Sequence, residues 1–132
     1  MFSKEMLQGI LISCPKPECN ITKNDASSIG YRVRLKISFR GNENFLLSLQ
    51  RTLLQHGITS TLKERESKTR PKPILKITKN SEIGKVLDIL PPKLDNSNVE
   101  WDDFMRIFSI VYNGKHLSLE GFEDILRIKE LV

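Results

Sequence analysis

The sequence predicts an α+β fold, in which helices cover one face of a four-stranded antiparallel sheet. Residues 31–40 alternate apolar and polar side chains without a break, which is typical of a strand that buries one face. Two predicted strand pairs are separated by one amphipathic helix. One helix precedes these strands and three follow them, and this order is typical of a sheet with helices on one side.

The first predicted helix spans residues 3–13. Ser3 suits the N-cap position, and the apolar stripe is formed by Met6, Leu7, Ile10 and Leu11. Gly9 lies inside this stripe, where a glycine costs about 1 kcal/mol relative to alanine. A glycine is more readily tolerated there if two backbones approach closely. Pro15 and Pro17 then end the helix.

The first predicted hairpin joins a short strand at residues 18–23 to the strand at residues 31–40. One face of the second strand is apolar and comprises Tyr31, Val33, Leu35, Ile37 and Phe39. The other face comprises Arg32, Arg34, Lys36, Ser38 and Arg40, with four cations and no anion. Neighbouring cations repel each other, so this row favours an anionic partner such as a phosphate backbone. An idle solvent-exposed face is the alternative.

The second predicted hairpin follows a helix at residues 45–56, which begins after Asn42 or Asn44. Its strands are residues 58–66 and 74–79, and a basic loop connects them. The residues expected to point outward are Thr61, Lys63, Arg65, Lys76 and Thr78, and those expected to point inward are Leu75 and Ile77. Both hairpins therefore place cations on the face away from the helices.

Three helices are predicted after the sheet. The first begins at Asn80 or Ser81 and runs to residue 90, the second begins between residues 96 and 98, and the third follows Ser118. The predicted core residues of the last two are Trp101, Phe104, Met105 and Phe108, and Leu119, Phe122, Ile125, Leu126 and Leu131. Asp102 and Asp103 fall in a first helical turn, where the helix dipole explains them without a catalytic role.

The length of 132 residues predicts a single domain at residues 1–132. The formal net charge is +5, but it is unevenly distributed. Residues 1–80 contain 15 Lys and Arg against 6 Asp and Glu, whereas residues 81–132 contain 6 against 10. The basic surface therefore belongs to the strand-rich part of the chain, as expected for a protein with one nucleic-acid-binding face.

The cysteines and histidines favour no metal site or disulfide framework. Cys14 and Cys19 are too few for a framework, although a single bridge between them remains an alternative to two reduced thiols. No catalytic triad, glycine-rich phosphate loop or cofactor fingerprint is found, so we expect no small-molecule cofactor. Without a membrane span or signal peptide, the expected location is intracellular, in a cytoplasmic or organellar compartment that contains DNA.

The order of elements and the first helix resemble the LAGLIDADG homing endonuclease family. The family signature aligns with residues 7–15, where Leu7 and Gly9 match and Ile10 and Leu11 are apolar as required. The resemblance covers roughly residues 3–131. It implies that the four strands form a saddle on double-stranded DNA. It also implies a homodimer whose interface includes Leu7, Gly9 and Ile10.

Two acidic positions of the signature are replaced in this sequence. Cys14 occupies the position of the acid that holds a divalent cation, and Ile12 replaces the other usual acid. A thiol is a poor ligand for Mg²⁺, which prefers oxygen. Glu18 is the nearest carboxylate and the candidate substitute. The resemblance therefore implies DNA binding with a degenerate metal site and little or no cleavage, and Mg²⁺ is expected only if the protein is an active nuclease.

The sequence predicts DNA contacts along the polar strand faces. The predicted DNA-binding residues are Arg32, Arg34, Lys36, Ser38, Arg40, Lys63, Arg65, Lys76 and Thr78. Lys68, Arg70 and Lys72 in the connecting loop are expected either to touch phosphates or to form a solvated turn. Two alternatives stay open: an active, metal-dependent, site-specific endonuclease that uses Glu18 or another carboxylate, and an RNA-binding module that uses the same sheet.

Overall fold

The computed structural model describes residues 1–92, 94 and 99–131. In this part of the chain, the helices and strands follow the predicted order. They are α1 (Lys4–Ser13), β1 (Lys16–Lys23), β2 (Tyr31–Arg40), α2 (Glu43–Gln55), β3 (Thr61–Lys63), β4 (Ile74–Ile77), α3 (Asn80–Ile89), α4 (Trp101–Tyr112) and α5 (Leu119–Ile128), with a short 3₁₀ helix at Lys115–Leu117. The predicted α+β fold is therefore confirmed.

The four strands form one antiparallel sheet in the order β1-β2-β4-β3. Strand β2 spans the ten residues predicted from the alternating pattern. It pairs with β1 on one side and β4 on the other, so that Ile37 and Phe39 lie opposite Ile77 and Leu75. These four side chains have no exposed surface and form the centre of the sheet's apolar face.

The helices cover this apolar face and join it in one core. Trp101 is 1% exposed, and its indole Nε1 donates a 2.8 Å hydrogen bond to the carbonyl of Leu11. That carbonyl is among the last four of α1, which lack a partner inside the helix. The bond satisfies a buried acceptor and ties α4 to α1, in agreement with the prediction that Trp101 is a core residue.

Three of the predicted helix caps are confirmed. The side chains of Ser3, Asn42 and Ser118 accept hydrogen bonds from the third residue beyond each of them, at 3.2, 2.8 and 3.1 Å. The predicted cap of α3 at Asn80 or Ser81 is wrong, because Lys79 occupies the N-cap and makes no capping hydrogen bond through its side chain. Strand β4 ends at Ile77, two residues before Lys79, and the helix starts at Asn80.

The strands of the second hairpin are shorter than predicted. Strand β3 covers three residues rather than residues 58–66, and β4 ends at Ile77 rather than at residue 79. Ile58 is unavailable to the sheet because its N–H bonds the carbonyl of Leu53 and closes the end of α2. Beyond β3, the backbone turns back on itself through hydrogen bonds between residues 66 and 72.

Strand β1 is longer than predicted and starts at Lys16. It includes Pro17, which an edge strand tolerates because one side of its backbone needs no partner.

The stripes of the last two helices differ in part from the prediction. Leu119 and Leu131 are 66% and 59% exposed, so their assignment to the core is wrong. Both lie at the margins of α5, whose buried residues are Gly121, Phe122 and Ile125. In α4, the buried set is Trp101, Phe104, Ile107 and Val111, while Met105 and Phe108 are half-buried. The predicted start of this helix at residues 96–98 lies outside the described residues.

Both cysteines are free thiols, Cys14 exposed and Cys19 buried. Burial raises the pKa of Cys19, an effect that the charge of Lys129 partly offsets. None of the helices in the described part of the chain is long and apolar enough to cross a membrane.

Candidate nucleic-acid interface

The polar faces of β1 and β2 coincide in the first hairpin. Directly paired residues of antiparallel strands lie on the same side of a sheet. The paired residues on the polar side are Lys16 and Ser38, Glu18 and Lys36, Asn20 and Arg34, and Thr22 and Arg32. The polar row of β2 is thus continued by a second polar row on β1.

The second hairpin extends the same surface. Lys76 lies opposite both Ser38 and Thr61, and Ile74 lies opposite both Arg40 and Lys63. We call the surface formed by these outward-facing residues of β1, β2, β3 and β4 the sheet face. Arg65 and Thr78 are exposed but lie outside the strands, so the ladder does not fix their side.

Most of the cations predicted for DNA binding are accessible on the sheet face. Arg32, Arg34 and Lys63 are exposed, and Lys36 and Lys76 are half-buried. Within the described part of the chain, neither Arg32 nor Arg34 forms an ion pair. These two guanidinium groups are therefore free to meet an external anion.

Ser38 is a correction to the predicted contact set. It is 1% exposed, and its hydroxyl donates a 3.4 Å hydrogen bond to the carbonyl of Lys16. The expectation that this side chain is accessible is wrong because a short serine lies between two cross-strand lysines, Lys16 and Lys76, whose side chains are much longer.

The row of cations predicted on β2 is not free of anions in the folded protein, because the neighbouring strand β1 places Glu18 beside it. The Glu18 carboxylate lies 3.1 Å from the Lys36 ammonium and 3.3 Å from that of Lys16. Burial raises the pKa of Glu18, but the hydrogen bonds and charges of the two lysines outweigh it and leave the pKa below its ordinary value. Lys36 is thus partly neutralised within the chain.

A second carboxylate, Glu66, is paired with two arginines, of which Arg40 is the last residue of β2. Arg40 donates from Nε and Nη2 to the two Glu66 oxygens at 2.7 Å each, and Arg70 donates to Oε1 at 2.9 Å. The hydrogen bond from Arg40 is the main reason why the pKa of Glu66 falls to about 2. The predicted contact residue Arg40 therefore has a strong partner inside the protein.

The end of α1 presents a thiol and a hydroxyl at the position of the signature acid. Cys14 is exposed, and its Sγ lies 3.5 Å from the Ser13 hydroxyl. Across residues 1–92, 94 and 99–131, no three side chains of His, Cys, Asp or Glu are grouped closely enough to hold a metal ion. Because Mg²⁺ requires several oxygen ligands, the donors present at this helix end do not fit it.

The outward face of α1 differs from the predicted dimer contacts. Leu7 and Leu11, one turn apart, have no exposed surface and face the domain's own core, so the placement of Leu7 at an external interface is wrong. Gly9 is exposed, and a Cβ added there would have no atom within 4 Å. Met6 is 55% exposed and Ile10 is half-buried. The centre of the accessible part of the helix is therefore formed by a small residue, Gly9, and by apolar side chains.

Sequence reasoning missed three residues of the sheet face and one partner beside it: Lys16, Asn20, Thr22 and Glu66. The first three alternate with Pro17, Cys19 and Ile21, so extending the period-two pattern backwards through the proline would have found them. No local pattern indicates Glu66, because its main partner is 26 residues away in the sequence.

The acidic helices lie on the other side of the sheet. Helix α4 packs against β1, and the ring of Phe122 on α5 stacks on Tyr31 with centroids 5.3 Å apart. The exposed carboxylates of these helices include Asp102, Asp103, Glu120 and Glu123. The charge asymmetry of the sequence thus corresponds to a basic sheet face and to acidic helices, α4 and α5, on the opposite side of the sheet.

Comparison with solved structures identifies the fold. The chain superposes on the homing endonuclease I-TnaI with a TM-score of 0.78 and 20% identity, covering 96% of this chain and 85% of that one. For the LAGLIDADG meganuclease I-CpaMI, bound to uncleaved DNA, the TM-score is 0.76 with 16% identity, and for I-SmaMI, bound to uncleaveable DNA, it is 0.77 with 18% identity. A four-stranded saddle sheet of this kind defines a class of α+β domain. The chain has the LAGLIDADG homing endonuclease fold, as the resemblance in the sequence implied.

The extent of the match differs among these structures. The chain spans 43% of I-CpaMI and 44% of I-SmaMI, although it is itself covered to 98% and 97%. No protein-family model and no curated protein matches the sequence. One copy of this chain therefore corresponds to about half of the two meganucleases.

Proposed function

We propose that the chain binds double-stranded DNA through its sheet face. The observation that carries this proposal is the pair of exposed arginines, Arg32 and Arg34, which form no ion pair with any described residue and lie on a polar face whose reverse side is closed by helices. Unpaired neighbouring cations are favourable when phosphates lie opposite them. The DNA complexes of I-CpaMI and I-SmaMI, which share this fold, support the choice of duplex DNA.

The residues of the first hairpin suit the reading of base edges as well as phosphates. A two-stranded ribbon fits the major groove of B-form DNA. There, arginine recognises guanine and asparagine recognises adenine through paired hydrogen bonds. Arg34 and Asn20 are both exposed and lie side by side, so Arg34 offers two donors for guanine and Asn20 offers a donor and an acceptor for adenine. Lys68 and Lys72, exposed beyond β3, are placed to contact phosphates.

We further propose that two copies act together. The meganucleases with this fold have about twice the length of the aligned chain, so one copy supplies half of a comparable saddle. The exposed, glycine-centred face of α1 is the candidate contact, with Gly9 and Ile10 near its centre and Met6 beside them. A symmetric pair would recognise a pseudo-palindromic site.

We propose that the protein binds DNA without Mg²⁺-dependent cleavage. Cys14 and Ile12 provide no oxygen ligand where the family signature has two acids. Glu18 is held by Lys16 and Lys36, so its use as a substitute would break both contacts. An active endonuclease is thus the less favoured alternative.

The binding experiment should compare DNA and RNA directly. Fluorescence anisotropy with a labelled random-sequence DNA duplex would measure affinity between 50 and 200 mM salt, where phosphate-dominated binding weakens steeply. Duplex RNA of the same length is the competitor, because its major groove is too narrow and deep for a ribbon of side chains. We expect the DNA duplex to bind more tightly. Equal or tighter binding of the RNA would favour the RNA-binding alternative.

A further inference from the structure

The segment that connects β3 to β4, residues 64–73, is a folded unit that is joined to the sheet face through the Glu66–Arg40 pair. The N–H of Glu66 bonds the carbonyl of Lys72 at 2.9 Å, and the N–H of Ser67 bonds that of Arg70 at 3.1 Å. The hydroxyl of Ser67 also accepts from the Arg70 N–H at 3.0 Å. We call these residues the Glu66 segment. Its backbone hydrogen bonds give it a defined conformation in the protein alone.

The Glu66 carboxylate joins this segment to the sheet. It accepts both bonds of the Arg40 guanidinium at the end of β2 and one bond from Arg70 within the segment. The Arg70 Nη1 also lies 3.3 Å from the Pro73 carbonyl, where the chain enters β4. Glu66 and Arg70 together thus connect β2, the turn and the residue before β4.

The residue that follows the segment, Ile74, is buried on the polar side of the sheet. Ile74 is fully buried, although the register places it on the sheet face with Arg40 and Lys63. An isoleucine on an exposed polar face would lose the favourable burial of its side chain. Ile74 follows the Glu66 segment directly in the chain, and the ladder places it opposite Arg40, the main partner of Glu66.

The same contacts occupy two of the strongest phosphate-binding groups of this surface. A bidentate arginine–carboxylate pair has the geometry that an arginine–phosphate pair would use. Arg40 cannot make both at once with the same two nitrogens. The side chains of Arg40 and Arg70 are only 31% and 32% exposed, against 67% for that of Lys16 on the neighbouring strand β1.

We propose that Glu66 is a positioning residue for DNA binding, which holds the Glu66 segment in place before DNA arrives and keeps Arg40 and Arg70 from contacting phosphates. This inference rests on the proposed function. Ordering the segment in advance removes an entropy cost from binding, which is the usual advantage of a preorganised loop. Lys68 and Lys72 remain exposed and are presented from fixed positions.

The test compares the wild-type protein with Glu66→Gln and Glu64→Gln. Glu64 is the matched control, because it lies in the same segment, is exposed and forms no ion pair within the described residues. Hydrogen exchange of the free protein would report the amides of residues 66, 67, 70 and 72. We expect exchange in the Glu66→Gln variant to be faster by about tenfold or more, as in a locally opened segment, and that of Glu64→Gln to match wild type.

The second measurement is the salt dependence of binding to a random-sequence DNA duplex. The two released arginines should steepen the salt slope of Glu66→Gln by about one to two units, since each phosphate contact contributes about 0.9. The Glu64→Gln slope should equal that of wild type. Unchanged exchange in Glu66→Gln would overturn the proposal, and so would an unchanged slope.

Arg40→Gln tests the same proposal without altering Glu66. If Arg40 is withheld from phosphates, its loss leaves the wild-type salt slope unchanged while exchange in the Glu66 segment rises. A slope reduced by about one unit would show that Arg40 contacts DNA and would refute the proposal. Failure of the wild-type protein to bind any duplex would refute the proposed function instead, and the exchange measurement would still decide whether Glu66 holds the segment.

Discussion

Arg34 on β2 lies directly opposite Asn20 on β1, and both side chains are exposed in the two-stranded part of the sheet face, beyond the residues of β2 that pair with β4. The two residues differ in charge but share their surroundings. Substituting each residue in turn therefore separates the contribution of a cationic side chain to binding from that of a neutral one at nearly the same place on the sheet face.

We expect Arg34→Ala to weaken duplex binding and to lower the salt slope by about one unit, because one phosphate-facing charge is lost. Asn20→Ala should leave the salt slope unchanged. Arg51→Ala is the matched control, since this arginine is exposed on α2, away from the sheet face. Anisotropy titrations at several salt concentrations would measure the slopes. A sharp fall in melting temperature for Arg34→Ala, with affinity intact, would show that the face is assigned wrongly.

The proposed pairing of two copies predicts different effects for a small and a large side chain at Gly9, the first on stability and the second on dimerisation. A Cβ at this position meets no atom within 4 Å in the isolated domain. Gly9→Ala should therefore stabilise the fold by about 1 kcal/mol, as expected inside a helix. Gly9→Leu should convert the dimer to monomers in sedimentation experiments while the domain remains folded. Wild-type protein that stays monomeric at high concentration, with and without DNA, would disprove this pairing.

The lowered pKa of Glu66 predicts a specific loss of stability in acid. Because the pKa is about 2 in the folded protein and 4.5 in the reference state, the contribution is fully present above pH 4.5. It is lost as the pH falls from 4.5 towards 2, where the carboxylate becomes protonated. Urea unfolding across this range should show a steeper decline for wild type than for Glu66→Gln. Parallel pH profiles for the two proteins would contradict this assignment.

The replaced acid of the first helix predicts the outcome of a cleavage assay. Wild-type protein with Mg²⁺ should leave duplex DNA intact, and EDTA should hardly change its affinity. Cys14→Asp restores a carboxylate at the family position and is the variant expected to gain Mg²⁺-dependent nicking, with Cys14→Ser as the control. Site-specific cleavage by wild-type protein, abolished by Glu18→Gln, would instead establish an endonuclease with a displaced acid.

The hydrogen bond between Trp101 and the Leu11 carbonyl predicts a large effect on stability. Trp101→Phe keeps an aromatic ring but leaves a buried carbonyl without its donor. An unsatisfied buried group of this kind costs about 1 to 3 kcal/mol, measured as the free energy of unfolding in urea. Phe104→Leu, which alters packing in the same helix without touching this bond, is the comparison. A smaller loss for Trp101→Phe than for Phe104→Leu would show that the bond contributes little.

The sequence predicted those parts of the fold that depend on local patterns. The ten residues of β2 and the caps at Ser3, Asn42 and Ser118 were found because alternation and capping are properties of neighbouring residues. The order of elements then followed from the two hairpins.

The parts that were missed depend on contacts between distant residues. The partner of Arg40 is 26 positions away, and no periodicity connects Arg40 to Glu66. Strand β3 was predicted too long because its alternating pattern continues into a turn whose hydrogen bonds close locally. The alternation predicted an exposed Ser38 because it identifies the polar face of the strand but does not show that longer neighbouring side chains cover the serine.

The separation of a basic sheet face from acidic helices α4 and α5 makes the charge distribution of the molecule dipolar. In the field of a polyanion, such a dipole experiences a torque that turns the positive end forward before any contact forms. Collisions with DNA should therefore begin mostly with the sheet face leading. Raising the ionic strength shortens the Debye length to about 3 Å at 1 M salt, so this rotational guidance disappears and association slows even where the final contacts are unchanged.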